Sequence, residues 1–150
     1  MLGLSWRIVA RLLLLLPATL LMSSPSSIAS EKLPLAIKGY DPVAYFTLGR
    51  PVPGLPELEY EWDESRYRFA RPEHRDLFKA DPLRYAPQFA NYCAMALTRG
   101  EVHEADPESW LISDGKLYIF GGPMGPERFR QALTGNVIKA NQNKALVQKR

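Results

Sequence analysis

The chain has 150 residues, with 19 Lys and Arg against 16 Asp and Glu and 46% hydrophobic residues. That length suits one domain, with or without a targeting segment, and leaves no room for two. A single cysteine excludes an intramolecular disulfide framework and a Cys-rich zinc site, and a net charge of +3 is too small to mark a nucleic-acid binder.

The first 29 residues read as an address. Arg7 and Arg11 precede an apolar run, Leu12 to Met22, interrupted only by Pro17 and Thr19, and a small-residue stretch ends at Ser27-Ile28-Ala29. A basic start, a short apolar middle and a small-x-Ala end make a secretory signal peptide, with cleavage expected after Ala29. An uncleaved anchor would need about 20 apolar residues, and Arg11 interrupts any longer window. Cleavage removes Arg7 and Arg11 and no acid, so the mature chain, residues 30–150, is nearly neutral. The expected location is the periplasm or the exterior, an oxidising compartment.

In the mature chain, Asp41-Pro42, Asp81-Pro82 and Asp106-Pro107 share one logic. Asp caps a helix while Pro takes its first position, where a missing N–H costs nothing. With Arg71-Pro72 and Gly125-Pro126, helix starts are expected near residues 42, 72, 82, 107 and 126. Residues 49–56, rich in Pro and Gly, form an extended connector. Leu58, Tyr60 and Trp62 alternate with glutamates, and Tyr67-Arg68-Phe69 alternates again, so 57–62 and 66–70 pair as one hairpin. The helix expected over 72–80 turns Leu77 and Phe78 inward and leaves His74 facing solvent. A second hairpin joins 110–112 to 116–120 around Asp114-Gly115, a strong turn signal. Asn136 to Val147 reads as a C-terminal helix carrying Val137, Ile138, Ala140, Ala145 and Leu146 as its apolar members. The class is a small single-domain α+β fold with two β-hairpins, several short helices and a C-terminal helix.

Chemistry concentrates on few residues. Cys93 invites three functional readings: an intermolecular disulfide, a reactive thiol, or a soft metal ligand. Its neighbours Ala94, Met95, Ala96 and Leu97 equally suit a small buried hydrophobe. Cys93 and Met95 with a histidine would suit copper(I), which prefers thiolate, thioether and imidazole. The mature histidines are His74 and His103, and each reads otherwise as a surface imidazole. No Gly-x-Ser-x-Gly, His-Glu-x-x-His, Cys-x-x-Cys or phosphate-cradling loop occurs. Gly121-Gly122-Pro123-Met124-Gly125 lacks a following Lys and reads as a plain loop.

Three segments in order then carry a family resemblance: Lys38-Gly39-Tyr40-Asp41-Pro42-Val43-Ala44-Tyr45-Phe46; Tyr60-Glu61-Trp62 leading to Phe78-Lys79-Ala80-Asp81-Pro82-Leu83-Arg84-Tyr85-Ala86-Pro87; and Tyr92-Cys93-Ala94-Met95-Ala96 followed by Asp114-Gly115-Lys116-Leu117-Tyr118. Together they resemble the secreted, single-domain bacterial branch of the YHS-domain family over roughly residues 36–143. Relatives of that family include modules on copper-transporting ATPases with a suspected metal-binding role. Those modules place cysteines where this chain has Ala44 and Ala70, so their thiol set does not carry over.

The resulting expectation is an exported, non-enzymatic YHS-like domain over residues 30–150. It binds a transition-metal ion such as copper through Cys93, with Met95, His103 and His74 as auxiliary ligands. Two alternatives stand beside it: a thiol-dependent redox protein or enzyme using Cys93, and a structural or partner-binding module with an inert, buried Cys93. No nucleic-acid partner and no membrane span after cleavage are expected; a protein partner or a Cys93-linked dimer is compatible with the sequence.

Overall fold

The computed structural model describes residues 32–146. The expected signal peptide therefore lies outside the described residues. Among the described residues, two antiparallel hairpins and six α-helices form a small α+β domain. No helix among the described residues is long and apolar enough to cross a membrane.

The chain enters through a 3-10 turn, Ala36–Gly39, and a one-turn helix α1, Ala44–Thr47. Strands β1, Leu55–Trp62, and β2, Ser65–Phe69, form the first hairpin, turning at Asp63 and Glu64. Helices α2, Pro72–Ala80, α3, Pro82–Tyr85, and α4, Ala94–Leu97, follow. The second hairpin pairs β3, Asp106–Ser113, with β4, Lys116–Phe120. Its turn places Asp114 at φ 50° and Gly115 at φ 69°, the doubly positive geometry that matches the twist of paired strands. Helices α5, Gly125–Gln131, and α6, Leu133–Gln142, complete the order, with a last 3-10 turn, Lys144–Leu146.

Both hairpins are irregular at their outer ends. Register shifts fall between Leu55 and Glu59 in β1 and between Asp106 and Trp110 in β3. Pro56 and Pro107 occupy those stretches, and a proline has no N–H to donate to the ladder.

The core has two parts that share a wall. One gathers around Phe78, whose ring lies 4.6 Å from Tyr67, 5.3 Å from Phe69 and 6.0 Å from Trp62. The other holds Phe89, Leu97, Phe120, Phe129 and Ala140. Strand β4 divides them. Leu117 and Ile119 enter the first cluster, while Tyr118 and Phe120 enter the second. A strand buried on both faces reads as a continuous apolar run, and Leu117-Tyr118-Ile119-Phe120 is one.

Several expectations are corrected here. Pro72, Pro82 and Pro126 open helices, with the Asp81 carboxylate accepting from the Arg84 amide at 3.3 Å. Pro107 does not. The Asp106 side chain instead accepts from the Glu108 amide at 3.0 Å, a local turn that launches β3. Leu55 and Pro56 belong to β1 rather than to the connector. The last helix begins at Leu133 and ends at Gln142, presenting Leu133, Asn136, Val137 and Ala140 inward while Ile138 and Leu146 stay exposed.

Helix α2 is rotated from its expected setting. Phe78 is fully buried, but Leu77 is 42% exposed and His74 is buried. His74 precedes Phe78 by four residues, so the two share one face, and Leu77 is turned about 100° away from Phe78. The solvent-facing assignment of His74 is wrong for that reason.

Candidate functional site

Cys93, Met95, His103, Met124, Arg99 and Arg128 are among the residues that line one cleft of about 400 Å³. That size falls within the range of small-ligand sites. Each wall has a local cause. Cys93 sits at the start of α4 in extended conformation, its sulfur accepting from the Ala96 amide at 3.4 Å. Such side-chain bonding to the amide three residues on is how short polar side chains begin helices.

Opposite it, residues 91–93 and 103–105 form a short antiparallel bridge. The Cys93 amide donates to the His103 carbonyl at 2.8 Å, the Ala105 amide donates to the Asn91 carbonyl at 2.8 Å, and Tyr92 pairs with Glu104. Cys93 and His103 are therefore direct cross-strand partners. Residues so paired carry their side chains on the same face, with Cβ atoms about 5 Å apart. Thiol and imidazole share the cleft as a consequence.

The third wall is the glycine-rich loop after β4. A Cβ built on Gly121 would meet the Cys93 sulfur at 3.7 Å, so glycine keeps this approach to the thiol open. Met124 at the rim is 59% exposed. The start of α5 is pressed onto β4, and a Cβ on Gly125 would fall 2.4 Å from the Cβ of Phe120.

Charge at the rim is largely internally paired. Arg99 Nη2 donates to Glu101 Oε2 at 2.8 Å, and this bond lowers the Glu101 carboxyl below its ordinary range and raises the Arg99 guanidinium. His103 Nε2 lies 3.7 Å from the same carboxylate oxygen. Arg128 Nη2 approaches the Met124 sulfur at 3.8 Å.

Of the four residues singled out from sequence, three meet here and one does not. Cys93, Met95 and His103 line the cleft, whereas His74 is absent from its walls. The His74 ring is buried between α1 and α2, bonded to Asp41 at 2.6 Å and to Thr47 at 3.1 Å. It has no place in a ligand set with Cys93, and the grouping of His74 with the other three is corrected. Sequence reasoning missed Met124, Arg99 and Arg128; an exposed methionine inside a glycine loop was the available sign for the first.

Cys93 itself is only 8% exposed and packs among Phe89, Ala94 and Phe120 on its inner side. Among the described residues no three His, Cys, Asp or Glu side chains converge as a metal-holding group. A second, larger groove of about 720 Å³ runs between the first hairpin turn and residues 86–92, lined by Trp62, Gln88 and Tyr92 among others, away from all four of those residues.

Comparisons of the chain with protein-family models, with curated proteins and with solved structures find no match.

Proposed function

We propose that residues 30–150 are an exported YHS-like domain that holds a soft transition-metal ion, copper(I) in class, at the Cys93 cleft. The observation that carries this reading is the cross-strand pairing of Cys93 with His103, beside Met95 and Met124 in one cleft. Thiolate, imidazole and thioether are the donors that copper(I) prefers. Metal–sulfur and metal–nitrogen bonds of about 2.3 and 2.0 Å require ligands to stand a few ångströms apart, and the Cys93–His103 backbone bond holds the two residues adjacent. Cys93 and His103 are the principal ligands, and the two methionines complete the set as flexible neutral donors. His74 has no part in it.

The experiment is an anaerobic copper(I) titration against a chromogenic chelator, on wild type and Cys93→Ser. Wild type withdraws copper from the chelator and Cys93→Ser does not. Equal uptake by both removes Cys93 as a ligand and overturns the reading. Mass analysis of the exported product tests the address: a mature chain beginning at Ser30 is expected.

One observation favours a second reading. Cys93, His103 and Glu101 follow the order thiol, imidazole, carboxylate, with 3.7 Å between His103 and Glu101. An imidazole beside a carboxylate can act as base toward a neighbouring thiol, the chemistry of a thiol-dependent redox protein or enzyme using Cys93. A depressed thiol pKa without copper uptake supports this alternative. A thiol that reacts no faster than a buried one defeats both and leaves an inert, structural Cys93.

A further inference from the structure

The larger groove, of about 720 Å³, shares no lining residue with the Cys93 cleft. Its walls are tied in place. Residues 86–92 form one side, fixed by the Gln88 amide donating to the Leu117 carbonyl at 2.9 Å and by Asn91 Nδ2 donating to the Leu35 carbonyl at 3.1 Å. The first hairpin forms the other side, where the Arg66 amide donates to the Pro34 carbonyl at 2.9 Å. A groove held this way is preformed, as small-ligand sites usually are. Three of its lining residues keep a left-handed backbone without being glycine: Asp63 at φ 47°, Glu64 at φ 58° and Ala90 at φ 50°. Glutamate and alanine rarely adopt that conformation, and such residues gather where a site needs a set shape.

Charges of both signs line the groove. Asp63 and Glu64 come from the hairpin turn, Lys116 from the start of β4 and Lys144 from the last 3-10 turn. Among the described residues none of the four forms an ion pair. Two acids and two lysines therefore border one groove without neutralising one another. Apolar surface accompanies them. Trp62 and Tyr92 are half-buried, and Leu83, 77% exposed, is the most exposed large hydrophobic residue among those described. A matching ligand carries an ammonium, a carboxylate and apolar side chains, and the volume suits a molecule of drug size rather than a single amino acid.

We propose that this groove binds short peptides with free ends and apolar side chains. The N-terminal ammonium pairs with Asp63 and Glu64, and the C-terminal carboxylate with Lys116 and Lys144, through charge-assisted hydrogen bonds. The peptide's side chains lie against Trp62, Tyr92 and Leu83. Gln88, half-buried in the same wall, carries a carboxamide that both donates and accepts, as the peptide's own amides require. The event is reversible capture, with no bond made or broken. Neither Cys93 nor a metal takes part, so this site stands or falls apart from the copper reading.

The test is calorimetric titration of the metal-free wild-type protein with trileucine, and with its N-acetylated and C-amidated forms. Free trileucine binds, and each cap weakens it by about fivefold or more, the scale of a partly exposed charge pair. Lys116→Gln combined with Lys144→Gln weakens the free peptide to a like degree and leaves the C-amidated form unchanged. Asp63→Asn combined with Glu64→Gln does the same for the free and N-acetylated forms. All four side chains are exposed, so these variants keep the fold, and the capped peptides on wild type need no variant at all. Backbone amide resonances mark the place: those of Trp62, Gln88 and Ala90 shift on binding and that of Gly121 does not. No binding of free trileucine, equal binding of free and capped forms, or shifts confined to the Cys93 cleft overturns the proposal.

Discussion

Cys93 and His103 face one another across a two-stranded bridge, the amide of the first donating to the carbonyl of the second at 2.8 Å. The pairing is backbone geometry, so it persists when either side chain is changed. His103→Ala should therefore leave the fold intact and weaken copper(I) binding. Chelator competition on wild type and variant checks this, and unchanged uptake by His103→Ala would remove His103 from the ligand set.

Access to the sulfur is set by Gly121. A Cβ there reaches ordinary contact distance of the Cys93 sulfur, 3.7 Å, and any branch beyond it covers the thiol. Gly121→Val should slow modification of Cys93 by a maleimide by about tenfold or more, since a thiol must be accessible to react. Thermal unfolding should change little. Labelling rates of native wild type and variant give the measurement, and unchanged labelling would place the open path to the thiol elsewhere.

The hairpins were legible because their signals are local. Alternation through Leu58, Tyr60 and Trp62, and Asp114-Gly115 between two apolar runs, depend on neighbours along the chain. The prolines were legible only as breaks. An Asp-Pro pair caps a helix at Asp81 and turns into a strand at Asp106, and the choice is made by what packs against the following residues. The sequence misleads at His74 because Leu77, the more apolar residue, suits the inner face better. The pairing of Asp41 with His74 lets an imidazole take that position instead. Residue type alone points to Cys93, Met95 and His103, but nothing in their spacing puts 93 opposite 103. That relation arises when the loop before β3 folds back on α4.

Asp41 ties three segments together: the first turn of α1, the end of β2 through Ala70, and α2 through His74. Removing one member of a buried, fully bonded pair leaves the others desolvated and unpartnered. Asp41→Ala should cost about 3–5 kcal/mol of unfolding free energy. Urea denaturation of wild type and variant tests this, and a cost below about 1 kcal/mol, the range of an exposed pair, would mean that the network is dispensable.

Glu59 gives the domain an acid-sensitive contact on the first hairpin. Its Oε1 accepts from Arg68 Nε and Arg66 Nη1, each at 2.8 Å, and Lys32 lies 3.5 Å from Oε2. The Arg68 bond, aided by Arg66, holds the Glu59 carboxyl down at about 2, against an ordinary value of 4.5. A depressed folded-state value means the unfolded chain binds the proton first on acidification. The contribution is therefore whole above about pH 4.5 and disappears as pH falls towards about 2. Because the carboxylate is partly exposed, its worth at neutral pH should be about 1 kcal/mol. Glu59→Gln, which keeps the shape and loses the charge, should be less stable than wild type at pH 7 and converge with it at the acid end. Denaturation midpoints measured for both proteins across that window decide the matter; a constant gap would assign the loss to packing rather than to charge.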